Sequence, residues 1–139
     1  MWKYINVHDI TRFSGDQFIN LTLFDGDAFF GRLICFSRGQ SVPAHRHEHK
    51  DECFDVVAGQ GTLLIDGKEI LATPGIMVYV PAGVEHGLRA DGTEQWIVRE
   101  TVSERVYARR ALALLARAVL KCIKKSIFFM EKGFLKKGK

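Results

Sequence analysis

The sequence predicts an all-β domain, an antiparallel sandwich or barrel, followed by one C-terminal α-helix. Short β-rich apolar runs recur about every 8–12 residues up to about Thr101, and turn residues separate them. After about Ser103 a helical period replaces these runs. The chain has 139 residues, a length that suits one hydrophobic core. We therefore expect a β-domain over residues 1–103, and a basic amphipathic helix with its tail over residues 104–139.

Turn residues bound each predicted strand. Asp66-Gly67 is typical of a two-residue hairpin, because glycine accepts the positive φ that such turns require. Similar breaks are Asp25-Gly26-Asp27, Gly59-Gln60-Gly61, Thr73-Pro74-Gly75 and Asp91-Gly92. The predicted strands are residues 3–7, 18–24, 29–36, 53–58, 62–65, 68–71, 76–80, 87–89 and 95–101.

Composition narrows the class of protein. The chain is 47% hydrophobic and 26% charged, which is typical of a globular protein and excludes disorder and collagen-like repeats. No run reaches the roughly 18 apolar residues of a membrane span, and residues 1–4 lack the apolar segment of a signal peptide. Cys35, Cys53 and Cys122 are few and far apart, as expected for free thiols in a reducing compartment. We expect a cytoplasmic protein.

Three histidines and a glutamate have spacings that allow them to meet inside a barrel. His45 and His47 are two residues apart, and alternate residues of an extended segment share a face. Glu52 follows five residues later, far enough to lie on the next strand, and His86 comes 34 residues after Glu52. Imidazole and carboxylate groups are ligands for divalent first-row metals. The sequence therefore predicts one transition-metal ion, Fe, Mn, Zn, Ni or Cu, at His45, His47, Glu52 and His86.

Two other histidines are expected at the surface. His49 forms a competing His-x-His pair with His47, but this pair would leave Glu52 only three residues away. It would also change the spacing from Gly39, which the first motif below fixes. His8 stands outside the pattern.

Glycines and a proline around the predicted ligands complete two motifs. Gly39, His45, His47, Glu52 and Gly59 fill G-x5-H-x-H-x4-E-x6-G, and Gly75, Pro81, Gly83 and His86 fill G-x5-P-x-G-x2-H. The cupin family has two motifs with ten fixed positions, and this chain matches nine of them. It therefore resembles the cupin family over about residues 29–101. The tenth position, where the family has a non-ligand asparagine, is Ala90. The 15 residues between the motifs are similar to the spacing in small bacterial and archaeal cupins.

The resemblance to cupins implies a jelly-roll barrel, that is, an antiparallel double-stranded β-helix, with the metal ion inside it. It also implies a homodimer formed through the sheets. An octahedral ion with four protein ligands keeps two positions for water, dioxygen or a substrate, and its net positive charge favours an anionic small molecule. The expected function is therefore metal-dependent binding or transformation of such a molecule, as a dioxygenase or an isomerase. The identity of the metal and the reaction stay open.

Arg32 is the candidate substrate-binding residue. It shares one face of its predicted strand with Phe30, Ile34 and Phe36. If this face lines the barrel, Arg32 can bind a substrate carboxylate in a bidentate manner. The opposite orientation, with Arg32 outside, stays open at this stage. Candidates for general acid–base chemistry are Glu85, next to His86, and Tyr79.

The positive charge of the chain is concentrated in its C-terminal part. Residues 1–103 carry a formal net charge of −5 and residues 104–139 carry +9. The predicted helix has an apolar face and a basic face on opposite sides. The apolar face contains Leu112, Leu115, Ala116, Val119, Leu120, Ile123, Ile127 and Met130, and the basic face contains Arg110, Arg117, Lys121, Lys124 and Lys125. Its apolar face can pack on the β-domain or on a second copy, or lie on an anionic membrane surface through residues 104–130. Nucleic-acid binding is not expected, since a single helix lacks the second helix of a helix-turn-helix.

Two alternatives to an enzyme follow from these features. One is a non-catalytic ligand-binding or sensing module whose basic helix contacts a membrane surface or a protein partner. The other is a dimeric scaffold in which the metal only stabilises the fold.

Overall fold

The computed structural model describes residues 2–104, 115–117, 119–121 and 123. The chain separates into two compact units, residues 1–105 and residues 106–139. In the first unit, the described residues form one short helix and nine strands. In chain order these are α1 (Val7–Ile10), β1 (Ile19–Asp25), β2 (Phe29–Phe36), β3 (Ser41–His45), β4 (Lys50–Ala58), β5 (Gly61–Ile65), β6 (Lys68–Ala72), β7 (Met77–Val80), β8 (His86–Arg89) and β9 (Trp96–Glu104).

The nine strands form two antiparallel sheets. The five-stranded sheet has the order β1-β2-β9-β4-β7, and the four-stranded sheet has the order β3-β8-β5-β6. Apart from the consecutive pairs β1–β2 and β5–β6, neighbours in these sheets are not consecutive in the chain, as in a double-stranded β-helix, where the chain crosses repeatedly from one sheet to the other. The predicted all-β jelly-roll fold is confirmed.

Local sequence explains the hairpin between β5 and β6. Asp66 and Gly67 have φ values of 50° and 76°, which are the positive values that a tight hairpin turn requires. The flanking strands pair from Ile65 with Lys68 to Gly61 with Ala72. The predicted Asp66-Gly67 hairpin is therefore confirmed.

Two elements differ from the prediction, and two strands are longer than predicted, since β4 begins at Lys50 and β9 ends at Glu104. The strand predicted over residues 3–7 is wrong: a short helix begins at Val7, because the Asn6 side chain caps it by accepting a hydrogen bond of 3.2 Å from the His8 backbone N–H. Strand β3 was not predicted. It contains Pro43, which cannot donate to a ladder, and it lies at the edge of its sheet with an irregular register before His45.

The barrel core lies between the inner faces of the two sheets. Phe36 and Trp96 are register partners on β2 and β9, and their rings stack with centroids 5.3 Å apart. Leu63 and Leu88 contribute from the opposite sheet. Burying these large apolar side chains provides the main driving force for closing the sheets on each other.

The inner face of β9 changes from apolar to polar along the strand. Trp96 and Val98 are fully buried in the core, whereas the next inward residue, Glu100, is a carboxylate with 8% of its surface exposed. Its register partners are Arg32 on β2 and Phe54 on β4. One layer further along, Val102 pairs with Glu52. The barrel therefore has an apolar floor with a layer of charged side chains above it.

Strand β2 separates two apolar clusters. Ile34 and Phe36 belong to the barrel core, while Leu33 and Cys35 pack on the other side with Val7, Ile10 and Phe13 of the N-terminal segment. Since side chains alternate along a strand, Phe30 and Arg32 share the inner face with Ile34. Of the two orientations that the sequence left open, the structure has the one with Arg32 inside.

Gly59, a fixed position of the first motif, permits close packing at the end of β4. Its φ is +73°, a value that disfavours residues with a Cβ. A Cβ at this position would also collide with the backbone carbonyl of Gln95. Only glycine fits this turn without a shift of the backbone before β9.

In the second unit, the described residues 115–117, 119–121 and 123 are helical. They confirm a C-terminal helix over that part of the predicted range, and the rest of residues 104–130, including Cys122, lies outside the described residues. Among those described, Leu115, Val119, Leu120 and Ile123 are exposed, as are Arg117 and Lys121. A search of the described residues finds no helix with the length and hydropathy of a membrane span.

Candidate metal centre

The fold brings the four predicted ligands together from two sheets. His45 is the last residue of β3 and is the register partner of His86, the first residue of β8. His47 lies two residues after β3, and Glu52 projects from β4 in the opposite sheet. The bend between β3 and β4 lets one short segment supply ligands to both sides of the interior.

The potential ligand atoms lie within bonding reach of a common point. The Nε2 atoms of His45 and His47 are 3.2 Å apart. Glu52 Oε1 is 3.3 Å from His47 Nε2, and Glu52 Oε2 is 2.7 Å from His86 Nε2. One ligand atom from each histidine lies within 4.8 Å of the others. These separations suit donors arranged around one ion, whose bonds to nitrogen or oxygen are about 2.0–2.2 Å for zinc.

Backbone carbonyls orient two of the imidazoles. His45 Nδ1 is 2.9 Å from the carbonyl oxygen of Pro43, and His86 Nδ1 is 3.0 Å from that of Val84. Because a carbonyl only accepts, each Nδ1 carries the proton and donates it, which leaves Nε2 with a free lone pair directed at the centre. This is the second interaction that metal-binding histidines make in most proteins.

The buried atoms of the cluster lack a partner that a cation would supply. Glu52 Oε2 and His86 Nε2 are inaccessible to solvent and make no aligned hydrogen bond with any described residue, although they are only 2.7 Å apart. Both are acceptors when His86 is neutral, so a positive charge must lie near them to offset the repulsion. The four side chains therefore fit a divalent cation in three respects: the type of donor atom, its orientation, and the buried acceptor atoms that have no hydrogen-bond partner among the described residues.

The pKa shifts of two histidines reflect the same charge distribution. Burial alone lowers the pKa of His86, but the adjacent carboxylate of Glu52, together with the Val84 carbonyl, outweighs burial and raises the pKa. Burial also lowers the pKa of His47; Glu52 opposes this shift, while the neighbouring His45 and His86 add to it. Positive charge is thus favoured beside Glu52, and His47 is held as a neutral imidazole.

One side of the cluster is open to solvent. The His47 side chain is 35% exposed, whereas those of Glu52 and His86 are 3% and 2% exposed. The ring of Phe54 covers His86, with centroids 5.7 Å apart. Because Glu52 and His86 are buried, a small molecule can approach the cluster only from the side of His47.

His49 does not join the cluster. Its side chain is 86% exposed and lies 3.9 Å from that of Glu48, which is 83% exposed. His8 is likewise exposed. The geometry favours the His45–His47 pair over the competing His47–His49 pair.

The acid–base candidates from the sequence do not point into the centre. Tyr79 is 60% exposed on the outer face, since its neighbour Val80 is the residue buried in the core. Glu85 forms an ion pair of 3.5 Å with Arg46 near the surface. Asp51 accepts a hydrogen bond from the Ala82 backbone N–H and so supports the loop that precedes His86.

Arg32 and Glu100 add two charged groups to the inner face. Arg32 Nη1 lies 3.7 Å from Glu100 Oε2. Burial, and then the charge of Glu52, raise the pKa of Glu100 above its usual range, while Arg32, His86 and Lys50 oppose this shift. Sequence reasoning missed Glu100, although alternation from Trp96 and Val98 within the predicted strand 95–101 places it on the inner face.

The one departure from the second motif has a structural explanation. Ala90 is fully buried, and its backbone holds the Gly39–Gln40 turn. The Gly39 N–H donates to the Ala90 carbonyl at 2.7 Å, and the Ala90 N–H donates to the Gln40 carbonyl at 2.9 Å. These backbone contacts hold the turn with alanine at this position.

A separate cavity of about 480 Å³ lies outside the cluster. Lys3 and Val7 of the N-terminal segment line it, together with Leu23, Phe29 and Arg99 on the outer side of the five-stranded sheet. None of the four clustered side chains contributes to this cavity.

Comparison with known proteins places the barrel in one family. The family model described as "Cupin domain" matches residues 32–99, which include all four clustered side chains. The chain is 39% identical over 54 residues to quercetin 2,3-dioxygenase of Bacillus subtilis. That match covers 39% of this chain and only 16% of the dioxygenase.

Solved structures share the fold over most of the chain. The TT1209 protein of Thermus thermophilus has a TM-score of 0.71 at 19% identity, with 74% of this chain and 98% of that one covered. An RmlC-like cupin protein of Desulfovibrio desulfuricans has a TM-score of 0.68 at 25% identity, with 74% and 97% covered. The β-unit is therefore similar in extent to whole single-domain proteins of this fold.

Proposed function

Because residues 32–99 form a cupin domain, we propose that His45, His47, Glu52 and His86 hold one divalent first-row transition metal. The barrel would then bind or transform a small, anionic organic molecule at this ion. The observation that carries the proposal is the convergence of three Nε2 atoms and a buried carboxylate, with two of the imidazoles oriented by backbone carbonyls. The donor set accommodates Fe, Mn, Zn, Ni or Cu.

The protein residues have separate tasks in this proposal. His45 and His86 present fixed lone pairs, and Glu52 supplies the negative charge that partly neutralises the ion. When bound, a divalent ion would polarise an oxygen atom of the ligand or lower the pKa of a bound water. Phe54 and the buried neighbours of Glu52 exclude water from the far side of the cluster.

Arg32 is the proposed anchor for a carboxylate on the ligand. Its side chain is 41% exposed and lies on the inner face of β2. A guanidinium group recognises a carboxylate through two parallel N–H donors. The excess positive charge of an ion with one carboxylate ligand would also favour an anion.

We propose a dioxygenase or isomerase reaction for the enzyme. The similarity to a segment of quercetin 2,3-dioxygenase supports a dioxygenase reaction, although that segment is a small part of the protein. Either reaction needs a ligand oxygen close to the ion and a group that orients the remainder of the molecule, which is the role assigned to Arg32.

His47→Ala tests the proposed function. The variant should lose the metal and any activity while its far-UV circular dichroism stays like that of the wild type, because the half-exposed His47 lies in a loop after β3. His49→Ala, at an exposed position two residues away, is the matched control and should keep the metal. An active, metal-free His47→Ala protein would contradict the proposal.

A second candidate function is a non-catalytic binding or sensing module. It is favoured by the net charge of +9 on residues 104–139, and by the exposure of both Leu120 and Lys121 on the described helix. Vesicles with and without anionic phosphatidylserine would test the proposed membrane contact. Removal of residues 106–139, which keeps β9 whole, should abolish binding to the anionic vesicles; unchanged binding would exclude this role for the tail.

We further propose a cytoplasmic homodimer. Exposed apolar side chains on β6 and β7, namely Leu71, Met77 and Tyr79, support an additional sheet contact. Cys35 and Cys53 are free thiols, which suits a reducing compartment. Sedimentation equilibrium should give the mass of two chains, and Met77→Glu should shift it to one; a wild-type monomer would contradict the dimer.

A further inference from the structure

Arg32 and Glu100 form a pair on the inner face of the five-stranded sheet. They are register partners on β2 and β9, and their charged atoms are 3.7 Å apart. The Glu100 side chain is only 11% exposed, whereas that of Arg32 is 41% exposed. The carboxylate is thus part of the wall, and the guanidinium reaches solvent.

The contact holds Arg32 without consuming its hydrogen-bond donors. A separation of 3.7 Å is longer than a hydrogen bond, and Glu100 Oε2 accepts none. The Phe30 ring, two residues earlier on the same face, lies 4.6 Å from the Arg32 guanidinium carbon. One edge of the guanidinium therefore faces Glu100 and one face lies against Phe30, and no described residue accepts a hydrogen bond from its N–H groups.

Packing does not explain a carboxylate at position 100. Its inward neighbours along β9 are Val98 and Val102, which are both fully buried. Glu100 also lies close enough to the buried Glu52 for their charges to repel, which raises its pKa together with burial. A buried acid in this position costs stability, so its role is to be sought in the contact with Arg32.

We propose that Glu100 is a positioning residue, which holds the Arg32 guanidinium so that its free edge receives one carboxylate of a bifunctional acid. The other oxygen group of that acid would face the His45–His86 side of the barrel. This inference rests on the proposed function, since it assigns the second end of the ligand to the metal centre.

Arg32 and Glu52 lie on the same inner face but on different strands. They are separated by β9 and offset by two residues along it, because Arg32 pairs with Glu100 and Glu52 pairs with Val102, so their backbones are roughly 12 Å apart. The ligand of this proposal contacts both groups. A short dicarboxylate, or an acid with an oxygen group at its far end, can bridge them.

Succinate is the probe, and butyrate is the control that lacks the second carboxylate. Isothermal titration of the nickel-loaded full chain should show tighter binding of succinate than of butyrate. Arg32→Gln should weaken succinate binding about 30-fold or more, and Glu100→Gln about 10-fold. The double variant should bind like Arg32→Gln alone, because Glu100 acts through Arg32. Glu69→Gln, which breaks an exposed pair with Arg89 on the outer face, should have no effect.

The direction of the Glu100→Gln effect separates positioning from simple electrostatics. Loss of a nearby negative charge would by itself strengthen the binding of an anion, so weaker binding indicates positioning. Glu100→Asp keeps the charge but withdraws it from Arg32, so it should also weaken succinate binding. It provides an independent test if the glutamine variant does not fold. Unchanged or tighter binding in both variants, additive losses, or nickel-loaded wild type that does not bind succinate would overturn the inference. A wild type that holds no nickel would instead contradict the proposed function.

Discussion

Replacing Glu52 by glutamine removes the charge of one proposed ligand while keeping its size. Glu52 is 3% exposed and lies between His47 and His86, so no other described carboxylate in the cluster replaces it. The change in unfolding temperature on adding metal measures the loss, since an ion that binds only the folded state stabilises it.

The expected magnitude follows from linkage. At an ion concentration 1,000 times Kd, binding adds about 4.1 kcal/mol to the free energy of unfolding. If loss of the carboxylate weakens binding 100-fold, the same concentration adds only about 1.4 kcal/mol. For a β-unit of this size, these values correspond to increases in unfolding temperature on the order of 15 °C and 5 °C.

The assay is differential scanning calorimetry of each protein with chelator and with metal. Only the increment between the two conditions is compared, because removal of a buried carboxylate also changes the stability of the metal-free protein. Glu48→Gln, an exposed glutamate four residues earlier, should keep the full increment. If Glu52→Gln keeps it as well, Glu52 is not a ligand and the reasoning is refuted.

Three further predictions concern the scaffold. Gly59→Ala should lower the free energy of unfolding by about 3 kcal/mol, because the new Cβ would collide with the backbone. Gly83→Ala is the control: its φ is also positive but the space around it is open, so the loss should be about 1–2 kcal/mol. Equal losses of the two variants in urea unfolding would contradict the steric argument. Phe36→Ala should cost about 3–5 kcal/mol, and a loss below 1 kcal/mol would contradict its place in the core. Burial tends to raise the pKa of Asp91, but hydrogen bonds from Arg89 and Thr62 outweigh it and lower the pKa. The ionised carboxylate therefore stabilises the fold above its ordinary pKa of about 3.9, and this contribution is lost as pH falls through the lowered value. Asp91→Asn should cost about 1 kcal/mol at pH 7 and less in acid; a pH-independent difference would oppose this.

Much of the fold could be predicted from the sequence, because local signals and tertiary packing agree. Strand β2 was predicted with its observed ends, since a run rich in aromatic and aliphatic residues, with Gly31 inside it, lies between turn residues. Its inward face could not be predicted, because both faces of β2 are apolar: one packs in the barrel and the other against the N-terminal segment. The N-terminal strand failed because the Asn6 cap outweighs the β-propensity of the following residues.

Residues of the candidate site could be predicted where their spacing in the sequence forms a specific motif. His45, His47, Glu52 and His86 stand in two motifs and meet as expected. Glu100 stands in no motif, and its importance depends on which residue of β2 lies across from it. Such a pair is fixed by the register between strands, which the spacing of residues along one strand does not reveal.

Anomalous diffraction would show whether His45, His47, Glu52 and His86 bind one metal ion. A crystal of the full chain, loaded with one equivalent of nickel and measured at the nickel absorption edge, should show one anomalous peak per chain. We expect that peak at about 2.0–2.3 Å from the Nε2 atoms of His45, His47 and His86 and from the Glu52 carboxylate. A peak on His49 and Glu48, or no peak within bonding distance of His45, His47 and His86, would contradict the proposed metal centre.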